Sequence, residues 1–308
     1  MRTRGGKTND GMAQKRVSKD GIPMDAATHD GKTNGGMPKP SERMMHMSCD
    51  DFLFPFQDLT ENEANYASLF DSPVFAFLKQ MHDRYGMTFS GYCFFEHADG
   101  SFQLTQTPAK FADDFRASSS WLKFAFHSRN SRKNYAQASY AEAKADYELV
   151  TAELLRITGC RDCLDLVPRM HNYAGSLDAV RAWKDANPGI IGLLTAEDSR
   201  RNYCHDEEQT AFLRANDRMY DAELGLTFFS TDLRLEGAGG EAPKAELEAR
   251  LKDPAYAGRM NDLIIFLHDP NIATKPYQDR IIECCEFAVE NGYRFGFPMD
   301  AVERGVGC

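Results

Sequence analysis

The stretch MMHMSCDDFLF at residues 44–54 decides how the chain folds. A largely apolar run leads into two adjacent carboxylates, Asp50 and Asp51. Such a run predicts a short strand, and continuous rather than alternating apolar strands are typical of a parallel sheet covered by helices. Functional side chains in such sheets gather at the carboxyl ends of the strands, so the two aspartates are candidates for chemistry. The alternative is that they only cap the following loop.

Outward from this stretch, predicted strands and helices alternate about seven times. Helices are predicted at 72–86, 140–159, 176–189, 206–222, 241–253 and 279–293. Further strands are predicted at 87–97, 121–128, 164–171, 189–196, 226–236 and 261–270. This alternation predicts an α/β fold built on a mostly parallel sheet.

The first 42 residues differ from the rest of the chain. They are rich in Gly, Lys, Asp, Asn and Met, and GKTNDGM at 6–12 returns as GKTNGGM at 31–37. A segment of this composition buries too little apolar surface to offset the entropy lost on ordering. The sequence therefore predicts a disordered low-complexity tail at 1–42 and one folded domain at 43–308.

Composition narrows the classes of partner. The chain of 308 residues has a formal net charge of -10, so phosphate backbones and anionic lipid are poor partners, whereas a neutral carbohydrate or a small amide is not excluded. No run approaches the roughly 18 apolar residues of a membrane span, and no export signal is evident, which predicts a cytoplasmic protein. The oligomeric state stays open.

Polar side chains that could carry chemistry follow several of the predicted strands. They are Asp50 with Asp51, His127, His171, Asp232, and His268 with Asp269. Parallel strands deliver their carboxyl ends to one edge of the sheet, so these side chains are expected to converge. The competing interpretation is a satisfied core histidine for His127 and a strand-end residue paired with Asp269 for His268.

The order of these motifs resembles the NodB-type polysaccharide deacetylases, carbohydrate esterase family 4. Five motifs carry the resemblance: SCDD at 48–51, HSRNS at 127–131, PRMHNY at 168–173, STDLRLE at 230–236 and IIFLHD at 264–269. The resemblance spans about residues 43–300 and is closest to divergent members. It implies a distorted (β/α) barrel of about seven parallel strands, of the deacetylase type.

The resemblance also implies roles for individual residues. Asp51 and His127 would bind a divalent metal, with zinc the first choice, and Asp50 would act as general base. His268 would protonate the departing amine, and Arg169 would form a charge-assisted bond to Asp50. The implied reaction is removal of an acyl group from an N-acetylated carbohydrate, or cleavage of a related C–N bond.

One departure from the family pattern affects the metal site. The second metal-binding His of the family would stand four residues after His127, where this chain has Ser131. We expect His171, at another strand end, to replace it as the third ligand. Tyr173 and Asp232 are expected to contact substrate.

Three hypotheses for function remain open on the sequence. The first is a metal-dependent deacetylase-type hydrolase. The second is a catalytically degenerate barrel that serves as a carbohydrate-binding or regulatory protein, which the missing histidine favours. The third is a different barrel hydrolase that acts on a small substrate.

Overall fold

Strands and helices alternate along residues 43–237 and 242–305, which the computed structural model describes, with side chains as far as Val302. The predicted tail at 1–42 lies outside the described residues. The strands are β1 (Met44–Asp50), β2 (Phe89–Phe94), β3 (Leu122–Ser128), β4 (Gly192–Leu194), β5 (Arg218–Asp221), β6 (Leu226–Phe229), β7 (Leu233–Arg234), β8 (Asp262–His268) and β9 (Arg294–Phe295). The helices are α1 (Phe54–Glu61), α2 (Pro73–Tyr85), α3 (Ala112–Ala117), α4 (Tyr140–Thr158), α5 (Leu177–Ala186), α6 (Glu207–Ala215), α7 (Pro243–Lys252), α8 (Lys275–Glu290) and α9 (Pro298–Gly305). None of these helices is long and apolar enough to cross a membrane.

The larger sheet is parallel and has the strand order β3-β2-β1-β8-β7, with β9 pairing the start of β1. A smaller sheet has the order β4-β6-β5, in which β5 is antiparallel to β6. The mostly parallel α/β fold predicted from the sequence is confirmed. Strand β1 lies between β2 and β8, so the Asp-Asp pair stands near the middle of the sheet edge.

The predicted strand at 164–171 is present only as an irregular extended segment. On one side, the N–H of Asp165 donates to the carbonyl oxygen of Phe124 in β3 at 2.8 Å. On the other side, the carbonyl oxygen of Pro168 accepts from the N–H of Leu194 in β4 at 3.0 Å. Pro168 has no N–H to donate, which breaks the regular ladder. The segment thereby links the two sheets on this side, but the described strand pairs do not form a closed ring.

Two predicted elements are wrong in extent. The helix predicted at 206–222 ends at Ala215, because Asn216 adopts an extended backbone and leads into β5. The strand predicted at 226–236 is two strands, since the chain leaves the small sheet after β6 and joins the large sheet at β7. Asp232 consequently precedes a strand instead of ending one.

Alternation along β1 decides which side chains face the site. His46, Ser48 and Asp50 share one face because strand side chains alternate with a period of two. The other face carries Met45, Met47 and Cys49, which pack into the main hydrophobic core. The buried polar face of β1 therefore ends in Asp50, at the carboxyl edge of the sheet.

Phe52 follows the Asp-Asp pair and turns into the core. Its side chain is fully buried and packs edge-on against Phe56 and Phe75. The ring lies over Gly91 of β2, where an added Cβ would come within 2.9 Å of it. Phe52 is thus accommodated by a glycine of the neighbouring strand and belongs to the core.

Candidate active site

Asp50 is neutralised by a buried arginine. Arg169 Nη1 donates to Asp50 Oδ1 at 2.8 Å, and both side chains are almost fully buried. The same guanidinium donates to Ser48 Oγ and Thr231 Oγ1, and it stacks 4.3 Å from the ring centroid of Phe266. Burial opposes the charge of Arg169, but Asp50 together with Tyr173 and Tyr92 outweighs burial and raises the arginine pKa above its usual range. The arginine is thereby fixed beside one oxygen of Asp50.

Asp51 reaches the same edge by a left-handed backbone. Adjacent residues of a strand point to opposite faces, yet Asp51 has φ 58° at the point where β1 ends. This conformation is uncommon for a residue with a Cβ, and its presence marks a constrained position. It carries the carboxylate of Asp51 towards His127 and His171.

His127 presents an unprotonated nitrogen to Asp51. Its Nδ1 lies 2.5 Å from the carbonyl oxygen of Arg169, which can only accept, so Nδ1 carries the proton of the neutral ring. Its Nε2 then points a lone pair at Asp51 Oδ1, 3.2 Å away. Metal-binding histidines are commonly held by such a backbone contact, which fixes the tautomer.

His171 completes the group from a strained turn. Its Nδ1 lies 3.4 Å from Asp51 Oδ1 and 3.3 Å from His127 Nε2. The next two residues, Asn172 and Tyr173, both have φ 55°. A tyrosine held at positive φ costs about 1–3 kcal/mol and persists where the surroundings impose it. The turn therefore fixes the direction of His171.

These three side chains fit a divalent cation. One oxygen or nitrogen of each of Asp51, His127 and His171 lies within 4.8 Å of the others. Asp51 Oδ1 is buried without a hydrogen-bond donor, while two imidazole nitrogens face it. One carboxylate oxygen and two imidazole nitrogens are a donor set that zinc accepts.

His268 stands at the end of β8 and is held by Glu236. Glu236 Oε1 accepts from the backbone N–H of His268 at 2.6 Å and lies 3.4 Å from His268 Nδ1. Burial lowers the pKa of the imidazole, but Glu236 and the more distant aspartates Asp50 and Asp51 outweigh it, so the pKa is raised. His268 is therefore biased towards the protonated form.

The cluster opens into a small pocket of about 50 Å³. Its lining residues are Asp50, His127, His171, Asn172, Tyr173, Glu197, Arg200, Arg234, Phe266 and His268. This volume has room for a few water-sized groups and not for a sugar ring. A larger cavity of about 530 Å³ beside α6 contains none of the candidate residues, so size alone does not identify the site.

Comparison with known proteins identifies structures that share the fold. No protein-family model matches the chain, and no curated protein matches it in sequence. Among solved structures, an inferred polysaccharide deacetylase from Mycobacterium smegmatis superposes with a TM-score of 0.55 at 12% identity, over 88% of this chain and 93% of that one. The chain has the polysaccharide deacetylase fold.

The fold is shared with other carbohydrate-active proteins. The 4-alpha-glucanotransferase from Thermococcus litoralis matches with a TM-score of 0.53 at 10% identity, over 85% of this chain and 40% of that one. The polysaccharide deacetylase fold thus occurs with more than one reaction, and the reaction has to be argued from the site.

Of the two residues expected to contact substrate, Tyr173 lies at the pocket and Asp232 does not. Tyr173 lines the pocket and donates to Glu197 Oε2 at 3.2 Å. Asp232 does not join the cluster: it is buried, and its carboxylate accepts from Arg259 at 2.6 Å and from the N–H of Ile264 at 2.8 Å. Because it precedes β7, it lies away from the carboxyl edge. These contacts account for Asp232 structurally, and the expected substrate contact has no support in the pocket.

Four residues at the site were not predicted from the sequence. Three of them line the pocket, Glu197, Arg200 and Arg234, and the fourth, Glu236, lies beside His268. Glu236 was within reach, because it follows the true end of β7 in the same STDLRLE motif. The sequence analysis instead selected Asp232 from this motif, inside what was predicted as one strand at 226–236. The loop residues Glu197 and Arg200 follow β4 and offered no sequence signal of comparable clarity.

Proposed function

We propose that this chain is a metal-dependent hydrolase that removes an acyl group from an N-acetylated carbohydrate. The observation that carries the proposal is the convergence of Asp51, His127 and His171 beside the Arg169-bound Asp50 and the Glu236-bound His268. With His127 neutral, its Nε2 lone pair lies 3.2 Å from a carboxylate oxygen of Asp51, an arrangement that a bound cation would stabilise. The fold supports the carbohydrate part of the proposal.

Each side chain has a separate task in this mechanism. A divalent metal bound by Asp51, His127 and His171 would supply Lewis-acid polarisation of the amide carbonyl and a lowered pKa for water. Asp50 accepts from Arg169 with Oδ1, which leaves Oδ2 to take the proton of the attacking water. Arg169 compensates the negative charge of Asp50 inside the protein.

His268 delivers a proton to the departing amine. Its Nδ1 faces Glu236, so Nε2–H is the proton that can be donated. The raised pKa of His268 keeps this proton available near neutral pH. Base and acid thus come from different strands, Asp50 from β1 and His268 from β8, which pair in register.

The absence of the second family histidine is the reason for the alternative function, a carbohydrate-binding protein without catalytic activity. Ser131 is exposed in a turn, and His171 supplies a nitrogen to the cluster instead. If His171 does not restore affinity for metal, the chain is a carbohydrate-binding protein that has lost the chemistry. Metal content separates these two functions, because only the hydrolase requires a bound cation.

The first experiment measures metal in the purified chain after incubation with zinc, cobalt or nickel. We expect one equivalent in the wild type and loss of at least nine-tenths of it in Asp51→Ala, His127→Ala and His171→Ala. His97→Ala is the matched control, since this imidazole bonds Gln57 outside the cluster. Acetate release from chito-oligosaccharides is then measured on the loaded protein.

The outcomes have distinct meanings. Metal and acetate release that are lost together in the three variants support the hydrolase. A wild type that stays free of metal in excess cation overturns the mechanism and leaves the binding protein. Metal without acetate release from any acylated sugar leaves a metal site with a different substrate, and it overturns the deacetylase proposal.

A further inference from the structure

The carboxylates that line the pocket already have partners within the protein. Glu197 accepts from Tyr173, and the neighbouring Glu236 accepts from His268 N–H and from Asn271 Nδ2 at 3.0 Å. One oxygen of each carboxylate is therefore occupied by donors. These contacts hold both carboxylates in place beside the pocket.

Two arginines at the same pocket have unused donors. The closest acidic contact of Arg234 is Nε to Glu236 Oε2, at 3.4 Å, and no described residue accepts from its two terminal amino groups. Arg200 uses Nε and Nη2 for Asp198, and its Nη1 has no acceptor within residues 43–237 and 242–305. Both side chains are about two-fifths exposed, and both line the pocket.

The pocket size separates two parts of a substrate. A volume of about 50 Å³ can hold an acyl group but not the ring that bears it. The rest of the substrate must then lie at the mouth, beside Arg200 and Arg234. Their planar guanidinium groups match carboxylate and phosphate oxygens, with which they form paired hydrogen bonds.

We infer that the site selects an N-acylated amino sugar that carries an anionic group, a carboxylate or a phosphate, bound by Arg234 with help from Arg200. The inference rests on the proposed function for the acyl group and on the two arginines for the charge. The chain as a whole has a net charge of -10 and repels anions, so local cationic donors are needed to hold one.

The test compares three ligands on the full chain by titration calorimetry. N-acetylglucosamine is the neutral ligand, N-acetylglucosamine 6-phosphate carries a phosphate, and N-acetylmuramic acid carries a carboxylate. We expect at least one anionic ligand to bind about tenfold or more tightly than the neutral one. The preference should fall as sodium chloride is raised, because charge attraction at a partly exposed site is screened.

Variants assign the preference to the arginine. Arg234→Gln should reduce the preference to less than threefold, while Arg234→Lys keeps the charge without the planar group and should give an intermediate value. Arg181→Gln is the control, because Arg181 is similarly exposed and pairs with Glu223 on the surface. Thermal unfolding of each variant checks that the fold is kept.

Each result bears on the inference separately from the proposed function. A preference for the phosphate or the carboxylate that Arg234→Gln removes supports the inference and names the group, even if no acetate is released. Equal binding of all three ligands, or a preference that survives Arg234→Gln, overturns it. Acetate release from neutral sugars alone would uphold the hydrolase and overturn the anionic substrate.

Discussion

The imidazole of His268 is held by one carboxylate, and that contact governs when it carries a proton. Glu236 raises the pKa of His268 against the effect of burial. We expect Glu236→Gln to lower this pKa, because the negative charge beside Nδ1 is removed while the size is kept. Acetate release should then decline at a lower pH as the pH is raised, since the acid form is lost earlier.

A proton NMR titration of His268 checks the pKa directly, without relying on turnover. Arg234→Gln is a useful companion, since it contacts the other oxygen of Glu236 and leaves the carboxylate in place. An unchanged His268 pKa in Glu236→Gln would show that the long 3.4 Å contact contributes nothing.

Arg169 is the residue whose loss should cost most stability. It is fully buried beside Asp50, so Arg169→Met leaves an uncompensated charge inside the protein. We expect the free energy of unfolding to fall by about 3–5 kcal/mol, measured by urea denaturation. Arg181→Met breaks an exposed pair with Glu223 and should cost less than about 1 kcal/mol. Similar losses in both variants would contradict the buried ion pair.

Individual site residues could be predicted where a strand end was clear. The geometry brings together Asp51, His127 and His171, which the sequence had proposed as ligands; their function remains a prediction. Glu236 was missed because the break between β6 and β7 has no glycine or proline to announce it. Such partners depend on contacts between distant segments that local periodicity does not encode.

Helix α1 depends on a residue that is distant in the sequence but adjacent in the sheet. Leu53 at its N-cap has no side-chain acceptor, and Asp269 Oδ2 accepts instead from Leu53 N–H at 3.0 Å and from Phe54 N–H at 2.6 Å. We expect Asp269→Ala to lower the free energy of unfolding by about 1–2 kcal/mol, measured by urea denaturation. Asp269→Asn keeps one acceptor oxygen and should cost less. Equal stability of Asp269→Ala and wild type would refute this capping role.

This remote cap explains why α1 was not predicted. Helices with local signals were found close to their true bounds, as for α4, where Ser139 and Glu142 form a capping box and Gly159 ends the helix. The helix predicted at 206–222 is too long, because an edge strand begins after Asn216. Local chemistry fixes an element only when its ends are signalled within it.

Asp217 is a buried carboxyl group at the edge of the sheet opposite to the candidate site. Burial raises the pKa of Asp217 to about 7, with help from Asp232 and Asp262 and against Asn261 and Arg259. The folded state thus favours the protonated carboxyl, so stability should decrease as the pH rises from about 4 to about 7. The full decrease is at most about 4 kcal/mol.

Asp217→Asn imitates the protonated carboxyl and should remove this part of the pH dependence. Urea denaturation at pH 5 and pH 8 measures the difference in unfolding free energy for both proteins. Asp178→Asn changes an exposed carboxyl of α5 and should leave the difference between the two pH values as in the wild type. A difference that is the same in Asp217→Asn and wild type would exclude Asp217 as its source.

At this scale the α/β class and the parallel sheet could be predicted, because apolar runs alternate with amphipathic helices throughout the domain. The division into a larger and a smaller sheet could not, since strand order depends on which edges meet in space. The segment at 164–168 is extended as predicted and lies beside β3, but it is irregular instead of a regular strand.

The order of the strands also sets how easily each part of the site opens. Strand β1 is hydrogen-bonded on both sides, whereas β7 has two residues and lies at the end of the sheet path. Backbone amides of β1 should exchange with deuterium only when the whole domain unfolds, and those around Arg234 through small local openings. We therefore expect Asp50 to lie on a strand that rarely opens, and Arg234 on a strand that opens readily. Evolution can retune the residue that selects a ligand without loosening the one assigned to proton transfer.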